Sequence, residues 1–456
     1  MSVSKVIIFF LVISSISSLY VFNFNIYTDA QVETTIGNTA TSEAVTSIND
    51  AILKSVVITT QVAVLGIVFN YFFFSRFLNK KRGNNISYEP QTDIIYFNVR
   101  TLKRVTSIVV LCCISVIIFS TCSILLQSYQ LAQNLDMDIL SAFDILDTSS
   151  VGQVWILRVV TSSAIIGMMI VIYYTTYRKS NRTDKMDSKN FEKPSVNKIY
   201  RNNNIPNQIL LLIVIALSSI NLFSNSMVSH SNSLPSFSGF AVSMDWIHFT
   251  AVSIWIGGLF YLSLVVVKNL KPIIDHDDKS NSTNTISNVS NSIMSVHNMS
   301  IALMYFSFIV IISLCIIGIS GLYLGYVHLL DLNSIFNTQY GLILVLKLVL
   351  AFPLIFIGRY NQLKIHTYTS LTSGIIKEIQ NSRDNNILQK YREKRSTVYV
   401  ALNKSLKIES LLGISVLIVA AFLSVTSPPS LEALDQGISN FEDKILKIQA
   451  IHFSYM

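Results

Sequence analysis

Eight long apolar runs separated by polar connections constrain this chain more than any other feature of its sequence. A helix needs about 20 apolar residues to cross the roughly 30 Å hydrocarbon core of a bilayer, where helices satisfy their own backbone hydrogen bonds. The sequence therefore predicts an all-α fold, a polytopic membrane helix bundle. Its eight transmembrane helices, spans 1 to 8, are predicted at residues 53–75, 105–131, 152–177, 207–229, 243–267, 301–327, 340–358 and 404–426.

A ninth apolar run, from Val6 to Phe24, opens the chain. The small-residue sequence Thr28-Asp29-Ala30 follows it and favours a cleaved signal peptide, although the run is also long enough to serve as a signal anchor. We therefore predict four regions, which are a signal peptide or signal anchor, a short extracytoplasmic segment, an eight-helix membrane domain and an extracytoplasmic C-terminal tail. They cover residues 1–30, 31–51, 52–430 and 431–456.

The basic residues fall in alternate connections between the spans. Four connections hold 28 of the 34 Lys and Arg residues: 76–104, 178–206, 268–300 and 359–407. Loops rich in Lys and Arg stay on the cytoplasmic side of a membrane. The sequence therefore predicts a multi-pass plasma-membrane protein in which the mature N-terminus and the C-terminus are both extracytoplasmic.

Composition and missing motifs exclude several classes of protein. Only 13% of the residues are charged, and the net charge of +8 is spread over the connections, which indicates attraction to the lipid bilayer and no nucleic-acid partner. The sequence has no Gly-rich loop ending in Gly-Lys-Ser/Thr, no His-Glu-x-x-His and no Gly-x-Ser-x-Gly. We therefore predict that the protein is not an enzyme. The connections at 178–206 and 268–300, rich in Asn, Ser and Lys, are predicted to be solvated loops.

Soft metal ligands gather at the predicted outer end of span 5. Helical spacing places Met244, His248 and Trp255 on one face, and Asp245 precedes His248 by three residues. A thioether and an imidazole one turn apart suit Cu(I), and a nearby carboxylate can orient the imidazole. The alternative is structural, with a packed methionine and a histidine that bonds the backbone.

Span 4 ends with the same pair of ligand types, Met227 and His230, and 13 residues separate His230 from Met244, which begins the next pair. Adjacent helices would bring both pairs together, so we predict one outer metal site formed by Met227, His230, Met244 and His248. Three further exterior candidates are isolated in sequence: Met137, His328 and His452.

Two cations complicate this prediction, because Arg158 and Lys347 lie inside their spans near the predicted outer end and would repel Cu(I). We place both, with Asp245 and Trp255, in a supporting shell. The four cysteines, all within apolar runs, are a minor alternative for passing Cu(I) along the membrane.

The run Asp245-Trp246-Ile247-His248, followed by Trp255-Ile256-Gly257-Gly258-Leu259, resembles the signature helix of the CopD family of copper-resistance membrane proteins. Other segments resemble the third, seventh and last helices of that family: Gly152 to Arg158, Tyr340-Gly341 with Lys347, and Glu409 with Pro428-Pro429. The resemblance extends over about residues 53–430. One departure is Ser229-His230-Ser231, where the family often has Gly-His-Ala.

The resemblance implies a role in copper tolerance or uptake, with copper as the substrate ion and a separate CopC-like extracytoplasmic copper-binding protein as a partner. We therefore expect copper transport, inward across the plasma membrane, and copper homeostasis or resistance. Three alternatives remain at the level of sequence. One is a factor that delivers copper to a membrane cuproenzyme, and another is an electron-transfer protein whose membrane histidines ligate haem. The third is a purely structural membrane subunit.

Overall fold

A computed structural model describes residues 39–82, 92–187, 205–233, 238–266, 286–329, 331–381 and 385–430. Within these ranges every regular element is helical. The long helices are Thr39–Arg82, Thr92–Asn134, Ser150–Asp187, Ile205–Met227, Ile286–His328, Gln339–Asn381 and Asn385–Leu423. Short helices at Ile139–Thr148, His230–Ser233 and Ser334–Asn337 connect them, and span 5 is assembled from Ser238–Val252, Ser253–Gly257, Gly258–Tyr261 and Leu262–Val266.

Eight of these helical stretches are long and apolar enough to cross a membrane, with mean hydropathies of 2.0 to 2.8. They confirm the prediction of eight spans. Spans 1 to 8 are Ile48–Ser75, Thr101–Asn134, Ser150–Arg178, Gln208–Met227, Ser238–Val266, Phe306–His328, Gln339–Lys364 and Ser396–Leu423.

The spans pack in sequence order into a closed bundle, in which each contacts the next and span 8 returns to span 1. Spans 1 and 5 lie at its centre, since 72% of the most apolar window of each is buried inside the protein. Spans 6 and 7 are peripheral, with 11% buried, and their exposed apolar side chains suit contact with lipid. Consecutive spans cross the bundle in opposite directions. The ends of spans 4, 6 and 8 therefore lie beside the beginnings of spans 5 and 7, at the end of the bundle that we call the predicted outer end.

The helices extend beyond the predicted spans. Residues 179–187 and 286–300, predicted to be solvated loops, continue the helices of spans 3 and 6, so that part of the prediction was wrong. The helices of spans 7 and 8 likewise extend beyond the predicted spans, to Asn381 and from Asn385, and Leu371, Tyr399 and Leu402 are buried in these extensions. Apolar side chains at helical intervals allow a helix to continue into water because they still pack against a neighbour. The predicted signal segment, the C-terminal tail from 431 and most of both loops lie outside the described residues.

Spans 1 and 5 approach each other at two glycines. A Cβ on Gly66 would lie 2.5 Å from the Cα of Gly257, and a Cβ on Gly257 would lie 2.7 Å from the Cα of Gly66. Only glycine allows two backbones to come so close. Span 5 also widens here into a π-helical turn at Ser253–Gly257, and Asn70 donates a hydrogen bond to the Ile254 carbonyl at 3.2 Å. Such turns within helices are frequent at functional sites.

Candidate functional site

Polar and charged side chains collect at the predicted outer end, where lipid would tolerate them poorly. They come from five spans, which are 1, 3, 5, 6 and 7, and from the short helix His230–Ser233, which follows span 4. The cluster contains His230, His248 and His328, the acids Asp50 and Asp245, and the cations Lys54, Arg158 and Lys347. The structure therefore places six sequence-predicted polar or charged residues near one end, and adds Asp50 and Lys54, which were not predicted as site residues.

His230 occupies the short helix after span 4 and is half-buried. Its ring faces the backbone of Thr426, and its Nε2 atom is buried with no hydrogen-bond partner among the residues the structure describes. Burial first, and the nearby Lys54 ammonium second, lower the pKa of His230 from its ordinary value of 6.5. The imidazole is therefore held in the neutral form that binds metals.

His328, at the end of span 6, lies against this same turn. Its Nε2 atom is 3.3 Å from the Ser231 hydroxyl, its ring packs edge-on against Tyr340, and it interacts electrostatically with His230. It is only 6% exposed, and its Nδ1 atom has no hydrogen-bond partner in the described part of the chain. Sequence reasoning left His328 isolated because nothing in the spacing of a histidine 98 positions after His230 reveals their proximity.

His248 lies deeper in the bundle and faces span 6. Its Nδ1 atom is 3.0 Å from Ser320 Oγ, and its ring contacts the face of the helix at Gly321. Ser320 donates its own proton to the Ile316 carbonyl at 2.6 Å. The hydrogen bond between His248 Nδ1 and Ser320 Oγ therefore fixes the orientation of the imidazole ring.

The two methionines of the predicted metal site are half-buried, Met227 at the end of span 4 and Met244 one turn before His248. The structure places His230 against Thr426 and His328 but places His248 against Ser320. No group of three or more His, Cys, Asp or Glu side chains able to hold a metal occurs among the described residues. The joint site of Met227, His230, Met244 and His248 stays a prediction.

Asp245, predicted to orient His248, instead faces span 4. It lies beside the Ser226 and Ser229 hydroxyls and interacts electrostatically with Lys347 and Lys54, while its Oδ2 atom is buried without a hydrogen-bond partner among the described residues. Lys347 is thus placed near the acid, as expected for a buried cation. Trp255 lies in the hydrophobic core at 5% exposure, and its supporting role stays a prediction.

Arg158 is held by span 4. Its Nε atom donates to Ser224 Oγ at 2.8 Å and its Nη2 atom donates to Asn225 Oδ1 at 2.9 Å. Asn225 donates in turn to Gln61 Oε1 at 2.7 Å, and Gln61 donates to Asn221 Oδ1 at 2.6 Å. The guanidinium is therefore part of a hydrogen-bonded network that joins spans 1, 3 and 4.

Residues 300–423 match the family model of copper resistance protein D, CopD. The matched region includes spans 6 to 8, and with them Ser320, His328, Tyr340, Lys347 and Glu409. The motifs of spans 3 and 5 lie outside it, so the resemblance there depends on the motifs alone. Comparison with curated proteins and with solved structures gives no match. Over residues 300–423 the family match agrees with the resemblance seen in the sequence: the chain has eight helices long and apolar enough to cross a membrane, and the last three lie in a region similar to copper resistance protein D.

Proposed function

We propose that this protein transports copper inward across the plasma membrane and so contributes to copper homeostasis or resistance. Copper enters at the predicted outer end, where His230, His248, Met227 and Met244 supply soft ligands. The observation that carries the proposal is the contact between His248 and Ser320. It joins the histidine of the CopD-like motif in span 5 to the matched CopD region in span 6, at the centre of the bundle.

The orientation of the bundle supports entry at this end. Loops rich in Lys and Arg stay cytoplasmic, so the end that carries the histidines faces outward. There it can receive copper from a separate CopC-like copper-binding protein. The chain acts as a transporter and not as an enzyme, and copper is its substrate.

The cations of the site do not prevent copper entry, because acids and amides compensate for them. Lys54 and Lys347 both interact with Asp245, and Lys54 also interacts with Asp50. Arg158 is engaged by Ser224 and Asn225. The two acids therefore reduce the repulsion that a monovalent Cu(I) ion meets at the outer end, and the partners of Arg158 hold its charge in place.

The experiment is copper accumulation in cells that express the wild-type protein, His248→Ala or Ser320→Ala, with elemental analysis of the cytoplasmic fraction. We expect the wild type to raise cytoplasmic copper, His248→Ala to abolish the increase, and Ser320→Ala to reduce it, because the imidazole then loses its anchor. Two matched controls are His366→Ala, an exposed histidine at the other end, and Ser313→Ala, a buried serine of span 6.

Immunoblots of the membrane fraction establish that all variants are expressed equally. Cytoplasmic copper that stays at the level of empty cells, despite full expression of the wild type, would overturn import. In that outcome, copper bound to the membrane fraction would favour delivery to a cuproenzyme at the outer face, and a Soret band in the purified protein would favour haem binding.

A further inference from the structure

The short helix His230–Ser233 and the end of span 6 bring two histidines together from distant parts of the chain. The Ser231 hydroxyl lies 3.3 Å from His328 Nε2, and the neighbouring residue, His230, interacts electrostatically with His328. Both rings lie at the predicted outer end of the bundle. His230 follows span 4 and His328 ends span 6, so the two histidines are neighbours only in the folded protein.

Each histidine retains one buried ring nitrogen that makes no hydrogen bond. These atoms are Nε2 of His230 and Nδ1 of His328, and neither has a partner among the described residues. A buried polar atom without a partner costs about 1–3 kcal/mol, so two in one place need an explanation. The other nitrogen of His328 is held by Ser231, which is the arrangement usual for a metal-binding histidine, whose second ring nitrogen bonds a neighbouring group.

We propose that His230 and His328 together bind one Cu(I) ion through these two nitrogens, with Ser231 as the positioning residue that orients His328. The site rests on the proposed copper function, but it does not depend on inward transport. Its ligand pair also differs from the pair predicted from sequence spacing, because His328 takes the place of His248 beside His230.

The surroundings select a soft monovalent ion. Cu(I) is stable with two imidazole ligands, whereas Zn²⁺ sites use four protein ligands when structural and three when catalytic, and Mg²⁺ or Ca²⁺ requires several oxygen ligands. The described residues provide no third His, Cys, Asp or Glu for such a group. Lys54 lies near His230, and an extra positive charge penalises a divalent ion more than a monovalent one.

The site is tested by anaerobic titration of the purified full-length protein with Cu(I) in competition with a chromogenic Cu(I) chelator. We expect His230→Ala and His328→Ala each to weaken binding by more than about tenfold, and the double variant to be no weaker than either single variant, because both ligands serve one ion. Ser231→Ala should weaken binding by about tenfold, as is usual for partners of metal ligands. The control His366→Ala should bind as the wild type does.

A second measurement uses only the wild-type protein, so it is independent of folding defects in the variants. Diethyl pyrocarbonate modifies histidines, and peptide mass spectrometry locates the modified rings. Cu(I) should protect His230 and His328, whereas Zn²⁺ at the same concentration should not. Protection of His248 with continued modification of His328 would overturn the site, as would wild-type Cu(I) affinity in folded His328→Ala.

The outcomes separate this site from the transport proposal. Loss of Cu(I) binding in His328→Ala together with unchanged cytoplasmic copper in wild-type cells would support the site and refute import. Import that depends on His248, together with wild-type Cu(I) affinity in folded His328→Ala, would support transport and refute the site.

Discussion

Arg158 and Asn225 are joined by a 2.9 Å hydrogen bond from the guanidinium Nη2 to the amide Oδ1, so span 4 supplies the partner that a cation in span 3 requires. Asn225 also donates a hydrogen bond to Gln61 Oε1 at 2.7 Å, which links span 4 to span 1. A buried polar network with unpaired members destabilises a protein more than an apolar core does, so each side chain of the network restricts the positions of the others. Arg158 therefore fixes the packing of three spans, and its presence in an apolar segment needs no copper.

Asn225→Leu should destabilise the protein by about 1.5–3 kcal/mol, because it removes a hydrogen bond to a charged group and leaves Gln61 without its donor. Thermal unfolding of the detergent-purified protein measures the effect. Asn337→Leu is the matched control, since Asn337 is exposed and should change stability by less than about 0.5 kcal/mol. Equal unfolding temperatures for the two variants would show that the network contributes nothing.

The number of spans could be predicted from the sequence because a bilayer imposes the length and apolarity of each one separately. The side-chain contacts between spans could not be predicted from the sequence. Arg158 looked unexplained because its partners, Ser224 and Asn225, are 66 and 67 residues away and indistinguishable from other polar residues of span 4. Only the packing of spans 3 and 4 brings them together.

The same limit explains why the surroundings of the histidines could not be predicted from the sequence. Spacing within a helix correctly places Met244 and His248 on one face, since helical periodicity is local. The direction in which that face points depends on the whole bundle, and the structure turns His248 toward Ser320 of span 6. His328 was predicted only as an isolated candidate, because its neighbour in the structure, Ser231, carries no metal-binding signal of its own.

Gly66→Ala should destabilise the protein by about 3 kcal/mol or more, the upper end of the cost of overpacking, because the new methyl group meets backbone atoms of span 5 that cannot rotate away. The yield and thermal unfolding of the purified protein give the measurement. At Gly167 an added Cβ meets nothing within 4 Å, so Gly167→Ala is the control and should be neutral or slightly stabilising. A stable Gly66→Ala variant would contradict the close contact of spans 1 and 5.

Asn361 and Glu409 form a second buried pair, in which Asn361 Nδ2 donates to Glu409 Oε2 at 2.5 Å. Glu409 is 2% exposed and Asn361 is 3% exposed. Asn361→Leu should lower the free energy of unfolding by about 1–3 kcal/mol, because the carboxyl group then loses its donor.

Replacement of both partners should cost less than replacement of Asn361 alone, since no polar group is then left unpaired. Thermal unfolding of Asn361→Leu, Glu409→Leu and the double variant measures this difference. Additive losses in the double variant would show that the two side chains act independently.

The orientation of the bundle predicts which surface positions are reached from outside the cell. Asn232 follows span 4 at the predicted outer end, and His366 follows span 7 at the opposite end; both are exposed. A membrane-impermeant maleimide should therefore label Asn232→Cys in intact cells, and should label His366→Cys only after the membrane is opened. The wild type is the control, because Cys112 and Cys113 are buried and Cys122 and Cys315 lie within spans 2 and 6, away from water. The reverse pattern would place His230, His248 and His328 on the cytoplasmic side, and the copper site would then serve export or cytoplasmic delivery.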